Sequence, residues 1–127
     1  MQQIVNKPWG QETILSENHL PYTAKLLFVK AGQRLSLQLH DQKTETLTLI
    51  SGQAKLISGP NQNTLTETIM QPQIGYTITP NTVHRISAIT DCQIFEASTP
   101  EKGTTKRLED DYKRPDETEI LRNSNRQ

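Results

Sequence analysis

Hydrophobic and polar residues alternate between positions 32 and 52, in the pattern of two β-strands joined by a turn. In the first half of this stretch, Ser36, Gln38 and His40 alternate with leucines. Because neighbouring side chains of a strand point to opposite faces, Gln38 and His40 share one face. A polar turn at residues 41–44 leads into a second alternating run, which begins at Glu45. We therefore predict that Glu45 lies beside His40 on the neighbouring strand.

Short alternating runs recur along the rest of the chain and predict further strands. They cover residues 12–15, 22–31, 53–58, 64–70, 76–79, 83–89 and 93–98, with turn residues between them. Many short strands without helical periodicity are typical of an antiparallel sandwich or barrel. We therefore expect an all-β fold. Pro115 and the acidic residues that follow it predict one short helix near the end of the chain.

The charged residues are unevenly distributed, although they balance overall. The 127 residues include 14 basic and 14 acidic ones, so the net charge of zero favours neither a nucleic-acid partner nor an anionic membrane. Half of the charged residues fall within residues 101–127, which we expect to be solvated. We predict one domain over residues 1–114 and a charged tail over residues 115–127.

Cysteine content and hydropathy bear on the compartment. Cys92 is the single cysteine, which rules out an internal disulfide and favours a reducing, cytoplasmic location. No apolar run approaches the length needed to cross a membrane, so we expect no membrane association.

Four residues predict a metal site. Gln38, His40 and Glu45 converge on two strands, and His84 follows on a later strand beyond a turn. Imidazole and carboxylate groups are common metal ligands, and four candidates at such spacing outweigh the structural role that each would have alone. Gln38 is the weakest donor because its amide is neutral; the alternative is that it hydrogen-bonds to the ligands. We expect one divalent ion, zinc first, with iron, manganese or nickel as alternatives.

The spacing of these residues resembles the motifs of the cupin superfamily. The first cupin motif is matched by Gly32, Gln38, His40, Glu45 and Gly52, with Gln38 in place of the first histidine. Pro80 and His84 match a second motif that is otherwise less complete. The resemblance implies a single small double-stranded β-helix, also called a jelly-roll barrel.

A closer resemblance, from Lys7 to Arg114, is to the cupin domain of type II mannose-6-phosphate isomerases. It is carried by Lys7-Pro-Trp-Gly10, Arg34-Leu-Ser-Leu-Gln-Leu-His40, Glu45, Ser51-Gly-Gln-Ala54, His84-Arg85 and Arg107-Leu-Glu-Asp-Asp-Tyr112. The type I enzymes bind zinc through Gln, His, Glu and His, and have an active-site lysine two residues before the glutamate, where this chain has Lys43. The resemblance implies a metal-dependent isomerase that interconverts an aldose and a ketose phosphate through an enediol.

The isomerase hypothesis needs groups that move protons and groups that bind phosphate. The candidates for catalysis are Lys43, Arg85 and Glu96, with Glu12 as a further candidate base. The candidates for phosphate binding are Arg34 and Lys25, and Lys30 and Arg85 are secondary candidates. For each of the basic residues, an ordinary surface charge is the alternative.

Two other functions remain open from the sequence. The first is a non-catalytic cupin that binds a sugar or another small ligand, and the second is oxygen chemistry at iron. Asp41, Gln42, Thr46 and Leu47 stand where the type II enzymes often have histidines and an aromatic residue, so the substrate stays open.

The leucines of the first strand bear on the oligomeric state. If Gln38 and His40 face inwards, then Leu35, Leu37 and Leu39 face outwards. Each buried leucine contributes about 1.5–3 kcal/mol, so an apolar stripe of three is expected to be covered. Either another layer of strands from the same chain or a partner subunit could cover this stripe. We predict a homodimer.

Overall fold

Eleven strands and one short helix make up residues 3–124, the part of the chain that the computed structural model describes. The strands are β1 (Gln3–Lys7), β2 (Gly10–Ile14), β3 (Thr23–Val29), β4 (Leu37–His40), β5 (Glu45–Ser51), β6 (Ala54–Asn61), β7 (Thr64–Ile69), β8 (Gly75–Ile78), β9 (Val83–Ala88), β10 (Cys92–Ser98) and β11 (Thr105–Glu109). The helix is α1 (Glu119–Ser124), which is far too short to span a bilayer. The all-β prediction is confirmed.

The strands form two antiparallel sheets. The six-stranded sheet has the order β1-β2-β3-β10-β5-β8, and the five-stranded sheet has the order β11-β4-β9-β6-β7. From β3 onwards the chain changes sheet at each connection except the β6–β7 hairpin. Strands that are adjacent in sequence therefore lie mostly in different sheets.

The strand alternation divides the interior into an apolar part and a charged part. In β5, Leu47 and Leu49 are buried, and the same face of the strand carries the buried Glu45. In β10, Ile94 and the buried Glu96 share a face in the same way. The pleat that packs the apolar residues into the core therefore also directs the carboxylates inwards. The apolar core contains Trp9, Leu27, Val29, Leu47, Leu49, Leu56, Ile78, Ile86 and Ile94, among others.

The end of the chain is not solvated as we expected. Strand β11 extends the five-stranded sheet, and Thr105 exchanges two backbone hydrogen bonds with Glu117. Glu117 and Arg122 are 8% and 6% exposed, so their charged side chains lie inside the molecule. The predicted short helix is present as α1, although it begins at Glu119. The predicted tail also includes residues 125–127, which lie outside the described residues, and the boundary at residue 114 stays a prediction.

The prediction that Leu35, Leu37 and Leu39 form an outward-facing stripe is wrong. Leu37 is 3% exposed, and Leu35 packs against the apolar core. Regular alternation does not extend through residues 35–40, because β4 begins only at Leu37. The leucines therefore do not support a homodimer, which stays a prediction without this argument.

Two glycines of the first motif give a stability prediction. Gly52 has φ +81°, and a Cβ there would lie 2.1 Å from the Asp91 carbonyl oxygen. Gly32 has φ +78°, but a Cβ there would meet no heavy atom within 4 Å. We expect Gly32→Ala to cost about 1–2 kcal/mol of unfolding free energy from backbone strain alone. Gly52→Ala should cost about 1–3 kcal/mol more, because it adds overpacking. Urea unfolding measures both, and equal losses would contradict the prediction.

Candidate metal centre

His40, Glu45 and His84 converge inside the molecule from both sheets. His40 ends β4 and His84 lies on β9, the neighbouring strand of the five-stranded sheet. Glu45 begins β5 in the six-stranded sheet and faces the imidazoles across the interior. The prediction that Glu45 lies on the strand next to His40 is therefore wrong, because β4 pairs with β9 and β11 instead. The alternation nevertheless directs the three side chains to one place.

The three side chains are close enough to share one ion. Glu45 Oε1 lies 2.9 Å from His84 Nε2 and 3.4 Å from His40 Nε2. One ligand atom from each residue lies within 4.8 Å of the others. All three residues are buried, so the group is shielded from bulk solvent.

Hydrogen bonds behind the imidazoles orient their Nε2 atoms towards Glu45. His84 Nδ1 lies 3.0 Å from the Thr82 carbonyl oxygen, which can only accept, so Nδ1 carries the proton. His40 Nδ1 lies 2.9 Å from the Thr105 hydroxyl oxygen. Within residues 3–124, both Nε2 atoms are buried, and the Glu45 carboxylate is the polar group that they face. The two imidazoles and the carboxylate therefore point towards one place, an arrangement that a cation between them would stabilise.

The ionisation states also suit a cation. Burial opposes ionisation of Glu45, but Lys43 and the two histidines outweigh it and lower the pKa of that carboxyl. Burial and the neighbouring Lys43 lower the pKa of His40 from 6.5 to about 4. At neutral pH the group therefore offers a carboxylate and an unprotonated His40 imidazole, which are the forms that bind metals.

Gln38 lies beside this group and contacts Ser36. It is in register with His84 on the neighbouring strand, and its side chain borders the same cavity. Its amide oxygen accepts a hydrogen bond of 2.7 Å from the Ser36 hydroxyl. A direct ligand role for Gln38 stays a prediction.

A chain of buried charges continues from Glu45 into the cavity. Lys43 Nζ lies 3.2 Å from Glu45 Oε2 and 3.2 Å from Glu96 Oε2. Lys25 Nζ lies 3.0 Å from Glu12 Oε1 and 4.0 Å from Glu96 Oε2. Two of the predicted catalytic residues, Lys43 and Glu96, therefore lie next to each other and to the candidate metal group.

The two catalytic candidates differ in how tightly they hold a proton. Burial opposes the charge on Lys43, but the carboxylates of Glu45 and Glu96 outweigh it and raise the pKa of the ammonium group. Burial raises the pKa of Glu96, although the nearby lysines oppose this effect. Lys43 is therefore suited to donating hydrogen bonds, and Glu96 is better suited to exchanging a proton.

The two predicted arginines are engaged elsewhere. Arg34 does not border the cavity; its guanidinium forms two hydrogen bonds, of 2.7 and 2.8 Å, with the Asp111 carboxylate. Arg85 does border the cavity, and its guanidinium donates to the Leu35 carbonyl oxygen and to Glu109, whereas its buried Nη2 has no hydrogen-bond partner among the described residues. Of the two residues predicted to bind phosphate, only Lys25 lies in the cavity.

Several residues of the cavity wall were not identified from the sequence. Glu101 contacts Lys25 and lies 3.8 Å from Lys43, and Thr105 orients His40. Four more of them come from the charged end of the chain: Arg107, Arg114, Glu117 and Arg122. Charged residues without an apolar alternation are usually solvated, so the sequence contained no pattern that placed these residues inside.

The cavity is small and carries an excess of basic groups. Its volume is about 70 Å³, enough for an ion and a few water molecules. Among the described residues, eight Lys or Arg residues border it against five Glu residues. The acidic ones are Glu12, Glu45, Glu96, Glu101 and Glu117, and the basic ones are Lys7, Lys25, Lys43, Arg85, Lys102, Arg107, Arg114 and Arg122. The excess of positive charge favours an anionic ligand.

Solved structures with the same architecture identify the fold. The capsular polysaccharide assembling protein CapF of Staphylococcus aureus matches with a TM-score of 0.71 and 14% identity, over 93% of this chain and 31% of CapF. Bacillus subtilis oxalate decarboxylase, a protein with Mn(II) centres, matches with a TM-score of 0.66 and 17% identity, over 79% of this chain and 28% of its own. The cupin domain of Schizosaccharomyces pombe Cnp3 matches with a TM-score of 0.61 and 10% identity, over 72% of this chain and 64% of its own. The chain therefore has the cupin fold.

The sequence match is more specific than the fold. Residues 1–115 match the family described as "Mannose-6-phosphate isomerase C-terminal". The chain belongs to this family, as the resemblance in its motifs implied. No curated protein is significantly similar to it in sequence. The chain also spans only about a third of CapF.

The lowered pKa of His40 predicts how the stability of the metal-free protein depends on pH. Between the unfolded pKa of 6.5 and the folded value of about 4, the unfolded chain binds an additional proton. Stability should therefore fall as the pH drops through this range, by about 3 kcal/mol in total from this group. Urea unfolding at several pH values measures the effect. His40→Gln should lose less stability over the same range, and equal losses in both proteins would contradict the prediction.

Proposed function

We propose that the protein is a metal-dependent isomerase that interconverts an aldose and a ketose phosphate. The observation that carries this proposal is the position of Lys43, which lies between Glu45 of the candidate metal group and Glu96. An acid–base pair beside a metal group is what a proton transfer next to a carbonyl requires. Membership of the mannose-6-phosphate isomerase family supports the same reaction class.

In this proposal, His40, Glu45 and His84 hold one divalent ion, and Gln38 assists them. The ion supplies Lewis acidity, which polarises the carbonyl oxygen of an open-chain sugar. Thr105 and the Thr82 carbonyl group keep the imidazoles in the orientation that binding requires. Burial of the whole group excludes water that would compete for the same donors.

Glu96 is the proposed base, and Lys43 is the proposed hydrogen-bond donor. Glu96 removes the proton from C2, the carbon next to the carbonyl, and returns it to C1, while the hydroxyl proton passes from the oxygen on C2 to the oxygen on C1. Its raised pKa makes the carboxylate a stronger base for this transfer. Lys43 remains protonated and donates hydrogen bonds that hold Glu96 and the reacting oxygen in place. Arg85 is not assigned a catalytic role, because its guanidinium donates to Leu35 and Glu109.

The finer details of this proposal stay predictions. Zinc is the first choice of metal, but oxalate decarboxylase has Mn(II) centres, which keeps manganese open. A cytoplasmic location rests on the single cysteine, Cys92, which is buried and has a free thiol. A non-catalytic cupin that binds a sugar is the alternative function, and a homodimer is the expected assembly.

Metal analysis tests the ligand assignment. After reconstitution with a divalent metal, the protein should contain about one ion per chain, as measured by elemental mass spectrometry. His84→Ala should abolish stoichiometric metal because it removes an imidazole, whereas Gln38→Ala should only weaken binding because it removes a neutral donor. His19→Ala is the control, since His19 is exposed and lies 3.4 Å from the exposed Glu17. Full occupancy after alanine substitution at each of the four candidates would place the ion elsewhere.

Proton exchange tests the reaction. The metal-loaded protein should catalyse deuterium incorporation from heavy water at C2 of an aldose phosphate such as mannose 6-phosphate, followed by NMR. Glu96→Gln should slow this exchange by about 10²–10⁴-fold, because it removes the base. Glu67→Gln is the matched control, since Glu67 is exposed on β7. If no aldose phosphate exchanges while metal occupancy is complete, the protein is a binding module.

A further inference from the structure

The segment from Arg107 to Arg114 belongs to the family resemblance but has no role in the proposed reaction. Arg107 lies on β11 in register with Gln38 on β4, and Gln38 is in register with His84 on β9. The three residues form a row across the five-stranded sheet. Adjacent strands are about 4.8 Å apart, so the Arg107 backbone lies about 10 Å from that of His84.

The guanidinium of Arg107 is buried and incompletely hydrogen-bonded. Its side chain is 9% exposed, and within the described residues its Nε has no hydrogen-bond partner. Nη1 donates to the Pro115 carbonyl oxygen at 2.6 Å, and Nη2 lies 3.7 Å from the Glu117 carboxylate, beyond hydrogen-bond distance. A buried donor of this kind favours an additional acceptor in the cavity.

Glu117 does not neutralise Arg107, because it is closer to another arginine. Its carboxylate lies 3.0 Å from Arg122 Nε, compared with 3.7 Å from Arg107 and 3.9 Å from Lys7. One carboxylate is therefore shared by three basic side chains, while Asp110 and Asp116 also lie near Arg107.

A second guanidinium is fixed nearby. Asp110 accepts hydrogen bonds from Arg114 Nε at 2.8 Å and Nη2 at 3.1 Å, and the guanidinium lies over the Tyr112 ring at 5.4 Å. Arg114 borders the cavity, and it precedes Pro115, to which Arg107 is bonded. Two guanidinium groups held in fixed positions match the geometry in which arginine binds phosphate oxygens.

We propose that Arg107 and Arg114 form the subsite for the phosphate group of the ligand, at the cavity wall beside Gln38. The inference rests on the proposed function, because it assumes that the other end of the ligand reaches His40, Glu45 and His84. It replaces Arg34, which pairs with Asp111 away from the cavity.

The exposure of Arg114 agrees with this division of the ligand. Its side chain is 20% exposed and borders the cavity, so it lies at the edge, where a phosphate group can stay in contact with solvent. The distance of about 10 Å across two strands is comparable to an open-chain sugar phosphate.

Calorimetric titration of the metal-loaded protein with mannose 6-phosphate and with mannose tests the subsite. We expect the phosphate ester to bind at least 10-fold more tightly than the neutral sugar. Arg107→Gln should weaken binding of the ester at least 10-fold without changing the affinity for mannose, and Arg114→Gln should act in the same direction. Lys106→Gln is the matched control, because Lys106 is the exposed neighbour on the same strand.

Two further measurements keep the proposal falsifiable. Arg107→Lys keeps the positive charge but loses the planar guanidinium with its paired N–H donors. It should therefore fold and bind the ester with intermediate affinity even if Arg107→Gln is unstable. Inorganic phosphate should still bind to the metal-free protein and should bind more weakly to metal-free Arg107→Lys, which separates the subsite from binding to the ion itself.

The outcomes separate this inference from the proposed function. If Arg107→Lys and Arg114→Gln both bind the ester like the unmodified protein, or if Arg34→Gln causes the loss instead, the subsite is wrong. If the arginine variants lose phosphate binding but no isomerisation occurs in the unmodified protein, the subsite stands and the proposed reaction fails.

Discussion

The carboxylate of Glu45 connects the two sheets at the centre of the molecule. It belongs to the six-stranded sheet and faces the imidazoles of His40 and His84 from the five-stranded sheet. Thr105 and the Thr82 carbonyl group hold the far side of each ring. A buried carboxylate is unfavourable unless positive charge or hydrogen-bond donors surround it. The arrangement of charges in the rest of the interior follows from this requirement.

Lys43 meets part of the requirement, and it extends the charged network. It contacts Glu45 on one side and Glu96 on the other, and Lys25 continues the chain of contacts to Glu12. Buried ion pairs seldom contribute more stability than apolar packing would, because each charge loses its hydration. Folding stability alone therefore does not account for a network of this size, and perturbed charges of this kind cluster at functional sites. The apolar half of the same strands supplies the core that holds the network in place.

The charged end of the chain completes the cavity. Strand β11 and the segment after it bring Arg107, Arg114, Glu117 and Arg122 to the wall beside the candidate metal group. The backbone pairing of Thr105 with Glu117 fixes this segment to the sheet. The cavity therefore depends on residues far apart in the sequence, since its metal group comes from residues 40–84 and its extra basic groups come from residues 107–122.

The sequence by itself determined the all-β class, most strands and the inward direction of His40, Glu45 and His84. These features follow from the period of two, which is a local property of a strand. The resemblance to the phosphomannose isomerases also implied that Lys43 lies beside the candidate metal group, where the structure has it. β1 and β11 were missed, because polar residues occupy both of their faces and leave no alternation to detect.

Only the tertiary structure decided which strands are partners and what the charged residues contact. Alternation specifies the face of a side chain but not the neighbour of a strand, so β4 and β5 were paired in our interpretation although they lie in opposite sheets. The leucines beside Gln38 were expected outside because we extended a regular alternation through residues 35–40. The strand β4 begins only at Leu37, and Leu37 is buried. Arg107 and Arg122 turn inwards because Glu117 and the cavity offer them partners, and such long-range pairing leaves no periodic pattern in the chain.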